Sequence, residues 1–455
     1  MKRTLLAQFL FATSVLCLVE LPSSGQEAAK PRLPQEQRPQ EEQVQERRLQ
    51  EEGLQDQRVN EDRWLQEERR LQEQRLQEQR LGRLSRQKLK IIYVTPEMTT
   101  GRPTDAAAIL QQAAASTTIP LWRYRTVAYN SNSYTGMMVG RSPFFNGART
   151  TNIPAVIVPV IFHMPNGTIF DPTAIDTACG FTASAVTLIQ QSPLLSNISP
   201  SINGVNVGTG QYTDIFQRSS FWTDVSVTGN SYHTVLSPVT VLSPISISPT
   251  STDAITFATG LCGPLGIISF TWFQGQLQST IIPGLASSGV GPTVFPIFLL
   301  YNVVQSTTTP PTANHCCILG FHDSFGTPLQ TYSPLDFDGI KEFGNGYTSV
   351  MSHEIAEWMD DPNGSNPVPV WGAEGQVTSP NCQNNLEVGD PLSPGFTTPT
   401  NEFTLTMPNG VTYDLQELAF YSWFYGGTSL GAGGLYSNNG TFKGFAKACP
   451  PGGTN

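Results

Sequence analysis

Past residue 90 the chain is nearly without positive charge. Residues 91–455 carry nine Lys and Arg against 21 Asp and Glu. A surface this acidic repels both a nucleic-acid phosphate backbone and an anionic bilayer. It argues against those partners and leaves a reasonable host for a cation. Histidine is scarce as well: His163, His233, His315, His322 and His353 are the five in the whole chain. After the leader no apolar run approaches the ~20 residues that a membrane helix needs, so no membrane span is expected. No Gly-x-Ser-x-Gly elbow is present. The glycines at Gly426-Gly427 and Gly431 to Gly434 lack a preceding strand with Lys or an acid at phosphate-binding spacing, and they read as loops.

What is present begins with an export signal. Lys2 and Arg3 precede an apolar stretch from Leu5 to Val19, and Ser23, Ser24 and Gly25 offer a cleavage zone before Gln26. Residues 1–25 are therefore expected to be removed and the protein secreted, to the extracellular space or the periplasm. Loss of Cys17 leaves six cysteines, Cys179, Cys262, Cys316, Cys317, Cys382 and Cys449. An even number in an exported chain predicts three disulfides, with the pairing open. Their long, irregular spacing argues against a Cys-rich zinc module. Cys316 and Cys317 are expected to bond to two different partners, because a bridge between neighbours strains the backbone.

Residues 26–90 are low-complexity, with 15 Lys and Arg against 14 Asp and Glu. Units such as Leu71-Gln-Glu-Gln-Arg and Leu76-Gln-Glu-Gln-Arg repeat every five residues, with further Leu at 49, 54 and 81. On a helix each step of five turns the leucine by about 140°, so no seam forms and a heptad coiled coil is not expected. Glu and Arg at close spacing still support a solvated helix. This segment reads as an extended or helical arm, a spacer or an element of self-association.

From Lys90 the composition changes to Thr, Ser, Gly, Pro, Val and Ile. Ile91 to Val94 reads as a strand and Asp105 to Ala115 as a helix. Ala155 to Phe162, Thr168 to Phe170, Val239 to Ile247, Gly266 to Phe273, Thr293 to Val304 and Cys317 to Phe321 read as β-type runs. Two turns are legible, Pro165-Asn166-Gly167 and Asn409-Gly410, the second joining a hairpin of Phe403 to Thr406 and Val411 to Tyr413. Residues 91–455 are expected to form one domain of α+β class, rich in β with few helices.

The segment with chemistry is Gly346 to Pro362. Val350, Met351, Ile355, Ala356 and Met359 follow helical spacing and Pro362 forces a stop. His353 and Glu357 then lie one turn apart on one face, with Glu354 at its rim. This is the layout of the His-Glu-x-x-His zinc helix, with Glu in place of the second His. Glu357, Asp360 and Asp361 crowd the negative end of the helix dipole, where each acid is disfavoured by roughly 0.3–1 kcal/mol unless a cation compensates.

Ser352-His-Glu-Ile-Ala-Glu357 with Asp361-Pro362 resembles the helix of zincin-like secreted proteins, and is loosely similar to a segment of the exordium (phosphate-induced protein) family. Val370-Trp371, Glu387-Val-Gly-Asp390, Gly320-Phe-His322 and Tyr413-Asp-Leu-Gln-Glu417 extend the likeness over about residues 315 to 420. The resemblance implies a zincin-like fold in which the helix packs on a sheet and a downstream loop closes a metal site. It also implies hydrolysis of peptide bonds, with a peptide or protein as substrate.

The metal ligands are expected to be His353 and Glu357, with Asp390 as the third and Glu387 as the next choice. Asp361 is expected to cap or to lie behind the ligands. Asp360 lies too far along the helix, and Glu354 is the expected general base. The cofactor is a divalent metal; zinc leads, and the oxygen-rich set also admits calcium or manganese. His322 is read either as lining the cleft or as a hydrogen-bonded strand-end residue; His163, His233 and His315 are read as structural. The aromatics Trp371, Phe420, Tyr421, Trp423, Phe424 and Tyr425 are read as core. The rival function is a non-enzymatic extracellular or cell-wall-associated protein with a structural or vestigial metal site.

Overall fold

The computed structural model describes Leu89 and residues 117–146, 149–228, 231–343, 347–372, 382–393 and 401–446. The leader, the arm with its self-association role, the strand Ile91 to Val94, the helix Asp105 to Ala115, Cys17 and Cys449 lie outside the described residues. Those described fall within one unit, Arg75–Asn455, of α+β class. No helix among them is long and apolar enough to cross a membrane.

The spine is β1, Thr150–His163. Helix α1, Tyr212–Ser220, precedes β2, His233–Val241; β3 is Phe295–Tyr301, β4 Asp323–Phe325 and β5 Gln330–Phe337. Strands β2 and β3 pair with β1 in parallel, β5 pairs with β3 in parallel, and β4 adds an antiparallel strand on β5. Ile169–Phe170 and Ile245–Ile247 complete this seven-stranded sheet. A second sheet of four strands combines Ala254–Phe257, Leu265–Ser269, Val303–Ser306 and Cys316–Ile318.

Sequence pattern and burial agree on how the main sheet is covered. Parallel strands covered on both faces read as continuous apolar runs, as in Phe295-Pro-Ile-Phe-Leu-Leu-Tyr301, all buried. Alternate residues of one strand face opposite sides. Phe295, Ile297 and Leu299 of β3 join one core with Ile153, Ala155 and Ile157 of β1. Phe298 and Leu300 join the other, with Val156, Val158, Val160 and Phe162. The first core receives the buried apolar side chains of helix α2, Ser349–Asp360, whose Trp358 stacks on Phe295 at 3.6 Å between ring centroids. The aromatics Trp371, Phe420, Tyr421, Trp423, Phe424 and Tyr425 are buried in the same core.

The structure redraws several expected runs. Gly266 to Phe273 is a strand that becomes a helix at Phe270, because the Ser269 hydroxyl accepts the Trp272 N–H and caps it. Thr293 to Val304 divides at Asn302, which turns through φ 54° and receives the Ile340 N–H on its side chain. The Phe403 hairpin forms from Glu402–Thr406 and from β6, Thr412–Gln416.

The expectation for the adjacent cysteines is corrected. Cys316 and Cys317 are bridged to each other, their cis peptide bringing the two Cα atoms to 3.0 Å. Cys179 and Cys262 form a second bridge across 83 residues, and Cys382 is also disulfide-bonded.

Candidate metal centre

Helix α2 carries three side chains of the site and is tied to β6 at its first turn. Thr348 Oγ1 donates to the Asp414 carbonyl at 2.6 Å, and Ser352 Oγ accepts the Gln416 N–H at 2.9 Å. At the other end Asp361 accepts the N–H groups of Ser365 and Asn366 at 2.9 and 2.8 Å and so holds the turn that follows the helix. Asp360 turns away to Gln217 Nε2, 3.4 Å from its Oδ1, and burial pushes its carboxyl up to about 7.

The two nitrogens of His353 have distinct tasks. Gln416 Nε2 donates to the Gly389 carbonyl at 2.6 Å, which orients the amide and sets its Oε1 3.0 Å from His353 Nδ1. Nδ1 therefore carries the N–H, and Nε2 presents its other side to acids. Nε2 lies 2.9 Å from Glu357 Oε2, 3.5 Å from Asp390 Oδ1 and 4.0 Å from Glu354 Oε1.

Asp390 arrives on a loop pinned to the helix by Glu357 itself. Glu357 Oε1 accepts the N–H groups of Gly389 and Asp390 at 3.0 and 3.2 Å. Glycine is required at 389, because a Cβ there would overlap the His353 ring. Asp390 Oδ2 is held by Gln383 Nε2 at 2.6 Å, which leaves Oδ1 toward the imidazole.

A second group forms on the other side of Glu357. His322 Nδ1 is 3.3 Å from Glu354 Oε2 and 3.8 Å from Glu357 Oε2, and its Nε2 is 3.7 Å from Glu387 Oε2. Gly320 permits this approach, since a Cβ there would press on Val350 and on Glu354 Cγ. The six side chains are buried, and Glu354, at 9% exposure, is the most open.

Within 4.8 Å of one another stand His353, Glu357 and Asp390, and likewise His322, Glu354 and Glu357. The helix pair and Asp390 thus come together, whereas Glu387 is held by Asn385 against His322 and not with His353. Reasoning from sequence left the place of His322 open and did not find Gln416. Both sit in resembling elements outside the helix motif, each weak by itself, Gly320-Phe-His322 and Tyr413-Asp-Leu-Gln-Glu417. The other histidines are elsewhere. His233 joins Asp214 at 3.0 Å, which also pairs with buried Arg218 at 3.2 Å and ties α1 to β2. His315 bonds Thr312 Oγ1, and His163 is exposed.

The electrostatics are those of a group that needs positive charge. Burial alone would lower His353, but the Glu357 carboxylate overrides it and lifts the imidazole to about 10. Burial would raise Glu357, yet His353 holds it below the usual carboxylate range. Burial and then Glu357 push Asp390 up to about 8. His322 is lowered by burial and raised on balance by Glu354. With a neutral His353, the Nε2 lone pair would face the Glu357 oxygen at 2.9 Å. Only a proton or a metal ion relieves that contact, and imidazole plus two carboxylates is a sound donor set for a divalent ion.

No family model, no characterised protein and no solved structure matches the chain. The chemistry of the site is accordingly read from its geometry.

Gln416→Leu is expected to weaken metal affinity by about 10–100-fold with the fold retained, because it removes the acceptor that orients His353. Competition with a chromophoric chelator measures this, and unchanged affinity would show that Gln416 has no part in holding the ligand.

Proposed function

We propose that this chain is a secreted, zincin-like, metal-dependent hydrolase of peptide bonds. The observation that carries the reading is the meeting of His353 Nε2, Glu357 Oε2 and Asp390 Oδ1, from a helix and a loop some thirty residues on, beside a helix carboxylate, Glu354. His353, Glu357 and Asp390 hold the ion, zinc first, with manganese or calcium admitted by the oxygen donors. Bound there, the ion supplies Lewis-acid polarisation of a carbonyl and acidification of water. Glu354 is the general base: its Oε1 stands 4.0 Å from His353 Nε2, on the side of the group most open to solvent. Burial excludes bulk water and strengthens each of these interactions. The long-range Cys179–Cys262 bridge supports export to an oxidising compartment.

A second reading, a structural ion in a non-enzymatic extracellular protein, is favoured by the burial of every ligand. One experiment separates the two. Purified protein is assayed for metal content and for cleavage of a peptide library, before and after chelation and after readdition of zinc or manganese. Cleavage that is lost and restored supports the hydrolase. A melting shift without cleavage supports the structural ion, and no metal with no shift sinks both.

Chelation is expected to lower the melting temperature by about 10 °C. An ion held ~1,000-fold above its Kd contributes roughly 4 kcal/mol. The shift depends on pH. In the chelated protein the raised His353 and Asp390 lend stability that is full below their ordinary values of 6.5 and 3.8. It fades as pH rises through about 8 and about 10. Glu357, lowered from 4.5, works in the opposite sense and matters only in acid. The ion replaces those protons, so the melting gap between loaded and chelated protein should widen from pH 6.5 to pH 9. A constant gap would contradict the ligand assignment.

A further inference from the structure

We propose that the site holds two divalent ions bridged by Glu357. The first ion is the one assigned above to His353, Glu357 and Asp390. The second is bound by His322 Nδ1, Glu354 Oε2 and Glu357 Oε2. The inference rests on the metal reading and adds a second ion to it.

The first argument is the lone pair of His322. A neutral imidazole has one N–H and one lone pair. Both nitrogens of His322 face carboxylate oxygens, Nδ1 at 3.3 and 3.8 Å and Nε2 at 3.7 Å. The residue is 5% exposed, and its Nε2 makes no hydrogen bond. Whichever nitrogen carries hydrogen, the other sets a lone pair against an anion in a dry pocket, and a cation must stand between them. The same holds at His353 Nε2, and the two ligand groups share only Glu357. Two separate positions therefore call for positive charge.

The oxygens that face the two imidazoles belong to four buried carboxyl groups, Glu354, Glu357, Glu387 and Asp390. An imidazole nitrogen with carboxylate oxygens, as each position offers, is a sound donor set for a divalent ion.

Outer contacts fit the same assignment. Gln416 Oε1 takes the Nδ1 hydrogen of His353 and aims Nε2 inward. Glu387 Oε2 stands 3.7 Å from His322 Nε2, too long for a hydrogen bond, on the side of the ring away from the second group, and Nδ1 is the nitrogen that faces Glu354 and Glu357. Glu357 Oε2 faces both inward nitrogens, at 2.9 and 3.8 Å, the position of a bridge. Glu354 turns Oε2 to the second group and Oε1 to the side of the first. Hydrolases with paired ions use them to clamp both the attacking and leaving oxygens.

The test is stoichiometry on the full secreted chain. Protein stripped with chelator is titrated with zinc alone and with manganese alone, and bound metal is counted by calorimetry and elemental analysis. Two ions per chain are expected, falling to one in His322→Ala, and the manganese-loaded protein should show a spin-coupled signal that becomes an isolated six-line spectrum in that variant. One ion with either metal, unchanged in His322→Ala, would overturn the second site and leave the single-ion reading standing. No bound metal would overturn both. Should the alanine variant fail to fold, His322→Gln replaces it, and the wild-type count alone still decides.

Discussion

Glu357→Gln is expected to abolish metal binding while leaving the protein folded. Glu357 belongs to both ligand groups, so neutralising it removes charge from each ion position at once. The amide keeps the structural half of its work. Its oxygen still accepts the Gly389 and Asp390 N–H groups that pin the loop, and its NH₂ donates to His353 Nε2, whose Nδ1 hydrogen remains on Gln416. The variant thus satisfies without a cation the contact that the native carboxylate cannot. Hydrolysis should fall on the order of 10³ or more, because several kcal/mol of transition-state stabilisation leave with the ion. Melting should respond in an unusual way: the variant melts at or above chelated wild type, and chelator shifts it no further. Retention of stoichiometric metal would refute the shared-ligand role, and a cooperative collapse in the absence of metal would refute the account of the loop.

The parts of this site differ in how visible they are along the chain, for physical reasons. His353 and Glu357 are legible because helical repeat fixes their relation locally, and Pro362 shows where the helix stops. Asp390 is legible only in part: a loop acid preceded by glycine suggests a close backbone approach. That it reaches His353, while Glu387 three residues earlier turns to His322, is set by the hydrogen bonds of Glu357 and Asn385. His322 has no local signature. Its place follows from Gly320, whose lack of a side chain lets that segment lie on α2, and from the pairing of β4 with β5. The same distinction runs through the fold. The apolar runs of β1 and β3 are plain in the sequence, but their parallel pairing across more than a hundred residues is not. Single polar side chains, Ser269 and Asn302, break runs that composition alone joins. The bridge between Cys316 and Cys317 is not legible, because residue type does not specify that their Cα atoms lie 3.0 Å apart.

Glu354→Gln is expected to lower kcat by about 10²–10⁴, the range for loss of a positioned general base. Its effect on metal differs from that of Glu357→Gln, because Glu354 belongs to the His322 group alone. The first ion, on His353, Glu357 and Asp390, should remain, so the variant keeps one of two ions and still shows a chelation-sensitive melting temperature. The glutamine NH₂ can donate to the His322 Nδ1 lone pair, where Glu354 Oε2 now lies at 3.3 Å, so the packing of α2 on the Gly320 segment has no cause to change. A structural role would show as a raised KM or a lower melting temperature in the chelated protein. Loss of the base instead lowers kcat with both of these unchanged. Full activity in the variant would take Glu354 out of the chemistry. The water would then have to be activated from the Asp390 side, where Oδ2 is already engaged by Gln383 and Oδ1 would be taken by the ion.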